Sequence, residues 1–285
     1  MPAEPPVVSA RTLAEALDLL ATKDGLRPVA GGTDLMVQIT GELAPPPERV
    51  LDIWHLDELR GISVSDGVLI LGALTTYSEM RNSDAVRANL PALAECAATI
   101  GAAQIQNRGT IGGNVINASP AGDTLPILLA TDAELVLASS ASGERSVPAS
   151  QFWPLYRTTA RRPDELLVRI RIPLPPRRQV RFRKVGTRRA QAISKVVLAL
   201  AWREDGGVWR DVRVALGSVA PTPIRAQETE RVLEGAAPRE TTADHAAQTL
   251  ANEIHPIDDV RSTADYRRVV SARILHRLLR EAGGW

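Results

Sequence analysis

Thr110-Ile-Gly-Gly-Asn-Val-Ile-Asn-Ala-Ser-Pro-Ala-Gly-Asp123 is the stretch whose reading decides the fold. Gly112 and Gly113 carry no Cβ, so a ligand can come close to the main chain there. Thr110, Asn114, Asn117 and Ser119 add short polar side chains. Successive backbone N–H groups in such a loop form a concave nest for an anion. Pro120-Ala-Gly122 turns the chain. Asp123 then opens an apolar run, residues 124–130, that predicts a buried helix. One glycine pair alone also fits a tight turn between two core elements.

Val29-Ala-Gly-Gly-Thr-Asp-Leu-Met36 repeats the chemistry: small residues, a glycine pair, a hydroxyl, then a carboxylate. Two such loops suit a ligand with more than one phosphate. Neither is a Walker loop, because no Gly-Lys-Ser/Thr follows, and neither has the Gly-x-Gly-x-x-Gly of a Rossmann turn. The pair argues for a diphosphate site on some other fold.

The 285 residues are 44% hydrophobic, enough for a sizeable core and two or three domains. A net charge of +1 implies no general attraction to nucleic acid or membrane. Lys23, Lys184 and Lys195 are the only lysines, so 31 of the 34 basic residues are arginine. With the abundant alanine this matches the coding bias of a GC-rich genome, which gives most arginines little functional weight. Cys96 is the only cysteine, excluding an internal disulfide or an iron–sulfur cluster held by this chain alone. The four histidines show no metal-ligand spacing. Met-Pro-Ala-Glu-Pro-Pro does not read as a signal peptide, and no apolar run reaches ~18 residues. The expectation is a soluble, cytoplasmic protein.

In chain order, residues 7–53 read as a compact β-α-β unit. Its helix opens at Thr12 and shows Leu13, Ala16, Leu17 and Leu20 on one face. Asp66-Gly67 joins two short strands as a hairpin. Residues 85–100 are helical and interrupted before Pro91. Residues 133–138 and 145–147 pair as strands, and residues 166–172 alternate around Arg169 and Arg171 as a half-exposed strand. Pro173-Leu-Pro-Pro176 marks a boundary. Residues 177–189 hold six arginines and Lys184 and form a strand with one wet face; Phe182 is the sole aromatic there, which argues against nucleic-acid stacking. Two more strands and three helices follow. The last helix begins at Ser262-Thr-Ala-Asp265, read as a capping box. Its apolar stripe is Tyr266, Val269, Val270, Ile274 and Leu278. Strands followed by helices give an α+β unit with helices on one face of a sheet.

With these stretches in view, the chain resembles the FAD-binding (medium) subunit of the molybdenum hydroxylases, which include xanthine and carbon monoxide dehydrogenases. The resemblance covers nearly the whole chain. It runs through Val29-Ala-Gly-Gly-Thr-Asp-Leu35, Leu71-Gly-Ala-Leu-Thr75, Thr110-Ile-Gly-Gly-Asn114, Ala118-Ser-Pro120 with Asp123, Arg183-Lys-Val-Gly186, Ala215-Leu-Gly-Ser-Val-Ala-Pro221 and Asp259-Val-Arg-Ser-Thr-Ala-Asp-Tyr-Arg-Arg268. It implies an α+β chain: a two-part FAD-binding fold of the vanillyl-alcohol oxidase/PCMH type, then a small α+β C-terminal domain. The boundaries are residues 1–55, 56–175 and 176–285.

The same resemblance implies cofactor-binding roles for Val29, Ala30, Gly31, Gly32, Thr33, Asp34 and Leu35, and for Thr110, Ile111, Gly112, Gly113 and Asn114. Both groups would hold the FAD diphosphate. It places Asp123 on FAD, and Leu167, Lys184 and Ile100 near the flavin ring; Ile100 can pack on the ring but cannot stack. By composition alone, Lys184 fits equally a solubilising lysine at a strand edge. Thr33-Asp34 stands where carbon monoxide dehydrogenase subunits tend to have His-Ser, which leans towards the xanthine dehydrogenase-like branch. No histidine sits in either loop, so the FAD is expected to be non-covalent. The implied function is electron transfer from a partner [2Fe–2S] subunit, through FAD, to NAD+ or another acceptor. A molybdopterin-containing large subunit would hydroxylate the substrate. No nucleic acid or membrane is expected. The rivals are a stand-alone FAD-dependent reductase of related fold and a non-catalytic binding module.

Overall fold

The computed structural model describes residues 5–22, 24–41, 45–188 and 191–285; the first four residues and Arg189 of the basic run lie outside it. β1 (Val7–Ser9), α1 (Leu13–Thr22), β2 (Leu26–Val29), α2 (Thr33–Thr40) and β3 (Arg49–Asp52) form a parallel sheet in the order β1-β3-β2. Thr12 Oγ1 accepts from the Glu15 N–H at 3.1 Å, so α1 starts where the sequence places its cap. Its Ala16, Leu17 and Leu20 are buried.

β4 (Ile62–Ser65) and β5 (Val68–Gly72) are the hairpin. Six short helices follow: α3 (Tyr77–Asn82), α4 (Asp84–Asn89), α5 (Pro91–Thr99), α6 (Ala103–Arg108), α7 (Ile111–Asn117) and α8 (Leu125–Ala130). β6 (Glu134–Ser139), β7 (Gly143–Pro148), α9 (Ala149–Phe152) and β8 (Leu166–Pro173) complete an antiparallel sheet ordered β4-β5-β8-β6-β7. Its two faces belong to different cores. Leu135, Leu137, Leu167 and Ile170 point into the helices, while Val136, Ala138, Leu166 and Val168 pack with Leu17 and Leu51. The half-exposed reading of residues 166–172 holds around Arg169 and Arg171 and fails for residues 166–168, which are buried on both faces. β8 is the middle strand; its first three residues are covered on both faces, whereas Arg169 and Arg171 reach Glu144 and Glu134 on a face open to solvent.

β9 (Gln179–Val185), β10 (Val196–Asp205), β11 (Val208–Gly217) and β12 (Ile224–Arg225) form a sheet ordered β12-β11-β10-β9. α10 (Gln227–Leu233), α11 (Glu240–Glu253) and α12 (Ala264–Gly283) supply the buried Leu233, Leu250, Leu275 and Leu278, which pack on Val196, Leu198, Leu200 and Trp202. The alternate residues Val197, Ala199 and Ala201, with Phe182 of β9, join the core of α5 and α8.

α12 departs from the expected register. Its cap is Thr263, whose Oγ1 accepts from the Tyr266 N–H at 3.2 Å, rather than Ser262. Its buried face carries Arg267, Ser271, Leu275, Leu278 and Leu279, and Tyr266 and Val269 are exposed. The reason is an ion pair. Arg267 is 4% exposed and donates to the Ser218 carbonyl and to Asp259 Oδ1, each at 2.6 Å. Tethering that guanidinium inward turns Tyr266 and Val269 out.

Candidate functional site

The end of β2, the start of α2 and the start of α7 border one cleft of about 210 Å³, partly open to solvent. The two glycine stretches meet there but contribute differently.

In the first, Gly32 adopts φ 73°, the left-handed region, and caps α2 without a side-chain partner. The N–H groups of Gly31, Gly32, Thr33, Asp34 and Leu35 donate to no acceptor among the described residues. Five free donors at the positive end of a helix suit an anion, and no metal is needed to neutralise it.

The second stretch is not a nest, which corrects the reading of residues 110–114 as a loop of free N–H groups. It is the first turn of a helix whose donors are already used. Ile111 N–H donates to the Thr75 carbonyl at 2.9 Å and Gly112 N–H to the Ala73 carbonyl at 2.9 Å. Gly113 N–H donates to Thr110 Oγ1 at 3.0 Å, and Asn114 N–H to the Thr110 carbonyl at 3.0 Å. What this stretch offers the cleft is the Thr110 hydroxyl, the Asn114 amide and a bare floor. A Cβ on Gly112 would meet the Ala73 carbonyl oxygen at 2.5 Å, so Gly112 serves close packing on the end of β5. A Cβ on Gly113 would meet only Thr110 Oγ1, at 3.0 Å, and a longer side chain there would extend into the cleft.

Asp34 stands at the mouth of the cleft, with its surface exposed. The protein mass around its carboxyl still pushes it above the ordinary value, against the pull of Arg157, a hydrogen bond from Asn117, and Arg27. The walls are apolar: Ile53, Ala73, Leu74, Leu166 and Leu167. Tyr77 also faces the cleft and is 4% exposed. Its hydroxyl makes no hydrogen bond among the described residues, and burial holds its phenol far above the ordinary value, so it stays a neutral donor.

Among the residues singled out by sequence, Val29, Ala30, Gly31, Gly32, Thr33, Asp34, Leu35, Thr110, Gly112, Gly113, Asn114 and Leu167 line this cleft. Ile111 does not; it is fully buried in the main core. Ile100, Asp123 and Lys184 do not line it either, but lie together nearby. Lys184 Nζ donates to Asp123 Oδ2 at 2.6 Å and to the Thr99 carbonyl at 3.2 Å, one residue before Ile100. The two side chains are 7% and 8% exposed, so Lys184 is no solubilising surface lysine. Burial pushes the Asp123 carboxyl up and Lys184 opposes that. Asp123 Oδ1 is buried with no partner. Sequence reasoning missed Ala73, Leu74, Tyr77 and Arg161. The first two lay in a quoted motif, residues 71–75, whose contact with Gly112 is a tertiary fact. Arg161 was hidden among the many arginines.

Residues 3–175 match the family described as the FAD binding domain in molybdopterin dehydrogenase, and residues 181–282 the CO dehydrogenase flavoprotein C-terminal domain. The chain is 35% identical to the glyceraldehyde dehydrogenase medium chain of Sulfolobus acidocaldarius, covering 94% of this chain and 95% of that one. It is 31% identical to the xanthine dehydrogenase FAD-binding subunit of Escherichia coli O157:H7, covering 96% of each. A solved carbon monoxide dehydrogenase from Hydrogenophaga pseudoflava, which lacks the Mo-pyranopterin moiety of the molybdenum cofactor, contains a chain that superposes with a TM-score of 0.92. That chain is 30% identical, and the match covers 97% of this protein and 96% of it. The free donors of residues 31–35 and the Cβ-less floor at Gly113 fit a dinucleotide of this kind. The chain therefore belongs to the FAD-binding subunits of the molybdenum hydroxylase family, and its cofactor is FAD.

Proposed function

We propose that this chain is the electron-transfer flavoprotein subunit of a heteromeric, xanthine dehydrogenase-like molybdenum hydroxylase. It takes electrons from a partner [2Fe–2S] subunit and delivers them to NAD+ or another acceptor, while a molybdopterin-containing subunit hydroxylates the substrate. FAD supplies the step between one-electron and two-electron carriers. The residues of this chain bind and orient it. The N–H groups of residues 31–35 and the Thr33 and Thr110 hydroxyls hold the diphosphate, and Gly113 leaves room for it. Leu167, Ile100 and Lys184 would lie near the flavin ring, and Asp123 would contact FAD. The proposed units are residues 1–55 and 56–175, which share the FAD, and 176–285. Soluble, cytoplasmic placement belongs to the same reading; among the described residues no helix is long and apolar enough to cross a membrane.

The observation that carries the site is the run of five unpaired N–H groups at the start of α2. Acid precipitation of the purified yellow protein should release all its flavin into the supernatant; flavin retained on the pellet would contradict non-covalent binding. The chain alone should reduce no dye with purines or aldehydes, because Cys96 is its one cysteine and it holds no molybdenum motif. The assembled complex should reduce NAD+ with substrate, and failure with NAD+ but success with oxygen or dyes would move the acceptor assignment.

A further inference from the structure

Arg161 sits on the segment between α9 and β8 and lines the cleft beside Leu166 and Leu167. Its Nη1 donates to three carbonyl oxygens, those of Arg162 (2.9 Å), Pro163 (3.1 Å) and Glu165 (2.8 Å). Three acceptors on one nitrogen fix the plane of the guanidinium, while Nη2 and Nε donate to nothing among the described residues. Of its two acidic neighbours in sequence, Asp164 and Glu165, the second is committed elsewhere. Glu165 takes two bonds from Arg145, at 2.6 and 2.8 Å, and one from the Arg162 N–H at 2.7 Å. Arg161 makes no ion pair within 4.0 Å among the described residues. It is half-buried, and desolvation draws its pKa below the ordinary arginine value even though Glu165 and Asp164 oppose this. Carbonyl dipoles orient a guanidinium but do not cancel its charge. A fixed, partly desolvated cation with no direct ion pair is stabilised by a ligand that brings the counter-charge.

We propose that Arg161 is the counter-ion of the FAD diphosphate, a positioning cation that complements the uncharged N–H donors of residues 31–35. This rests on the FAD reading of the cleft. Arginine suits the task because its spare edge presents parallel donors to phosphate oxygens while the other edge is tied to the backbone.

The test is FAD titration of the flavin-stripped full chain, followed by protein fluorescence at several ionic strengths, for wild type, Arg161→Met and Arg161→Lys. Arg161→Met should weaken FAD at least tenfold and flatten the slope of log Kd against log salt, since a charge contact is screened and an apolar one is not. Arg161→Lys should keep the wild-type slope and recover part of the affinity. Melting of the apoproteins covers the alternative that Arg161 only ties its own loop. If both variants melt low, lose FAD equally and keep the wild-type salt slope, the assignment is overturned. Wild-type affinity in a folded Arg161→Met protein overturns it as well, leaving the FAD site intact. A wild-type chain that takes up no FAD removes both.

Discussion

Gly31 packs against the carbonyl of Arg108: a Cβ on Gly31 would fall on that oxygen, well inside van der Waals contact. The contact joins the two glycine stretches, because Arg108 ends α6 two residues before Thr110. The Arg108 guanidinium lies 3.8 Å from the centroid of the Trp54 ring, and Arg60 covers the same ring at 4.6 Å. Trp54 follows β3 of the first unit. A stacked tryptophan and a backbone crossing thus hold the β1-β3-β2 sheet against the segment that leads into α7.

Gly31→Ala should therefore destabilise the protein and loosen the site together. The obstructing atom is main chain, so relief requires moving one unit against the other, at about 1–3 kcal/mol for such overpacking. Thermal melting and FAD titration should both shift. An alanine variant with unchanged melting temperature and FAD affinity would show that the crossing has slack.

Gly113→Val acts differently. Gly113 lies in a helix, so no left-handed strain is involved, and its Cβ would meet only Thr110 Oγ1. Valine would occupy ligand space. FAD affinity should drop at least tenfold, about 1.4 kcal/mol, with a near-normal apoprotein melt. Unchanged affinity would place the diphosphate away from α7.

The Lys184–Asp123 pair predicts a pH trend. Burial raises the Asp123 carboxyl and Lys184 is the main opposing influence. In Lys184→Met the carboxyl rises further. A carboxyl whose folded pKa exceeds its unfolded value stabilises when protonated and loses that contribution as pH climbs through the folded pKa. The melting deficit against wild type should therefore be smallest near the unfolded carboxyl value of about 3.9 and grow as pH rises, to about 3–5 kcal/mol once the carboxylate is buried and unpaired. A deficit independent of pH would mean that water reaches Asp123.

Asp259 gives the opposite sign. Burial alone would raise it, but Arg267 and the N–H groups of Arg261 and Ser262 hold it at about 2. The unfolded value is about 3.9. Its contribution is thus present above pH ~4 and lost as pH falls towards 2. Asp259→Asn should be less stable than wild type at neutral pH, with the gap narrowing between pH 4 and 2. Parallel stability curves across that window would refute the role of the Arg267 contact.

The sequence by itself determined the elements and the kind of ligand. Hydrophobic period and cap residues such as Thr12 act over a few residues, so α1, the hairpin at Asp66-Gly67 and the break before Pro91 were readable locally. The two glycine pairs likewise announced close approach. Tertiary structure decided how each is used. Residues 110–114 became a helix start whose donors go to residues 73, 75 and 110, because β5 ends beside them, and the free donors were left to residues 31–35. It also turned α12, since one buried guanidinium bound to Asp259 outweighed the exposure of Tyr266 and Val269. It gave Lys184 a buried partner 61 residues away and set Arg161 on the cleft wall. Hydrogen-bond partners and counter-ions are properties of space, and neither local propensity nor composition encodes which distant group fills them.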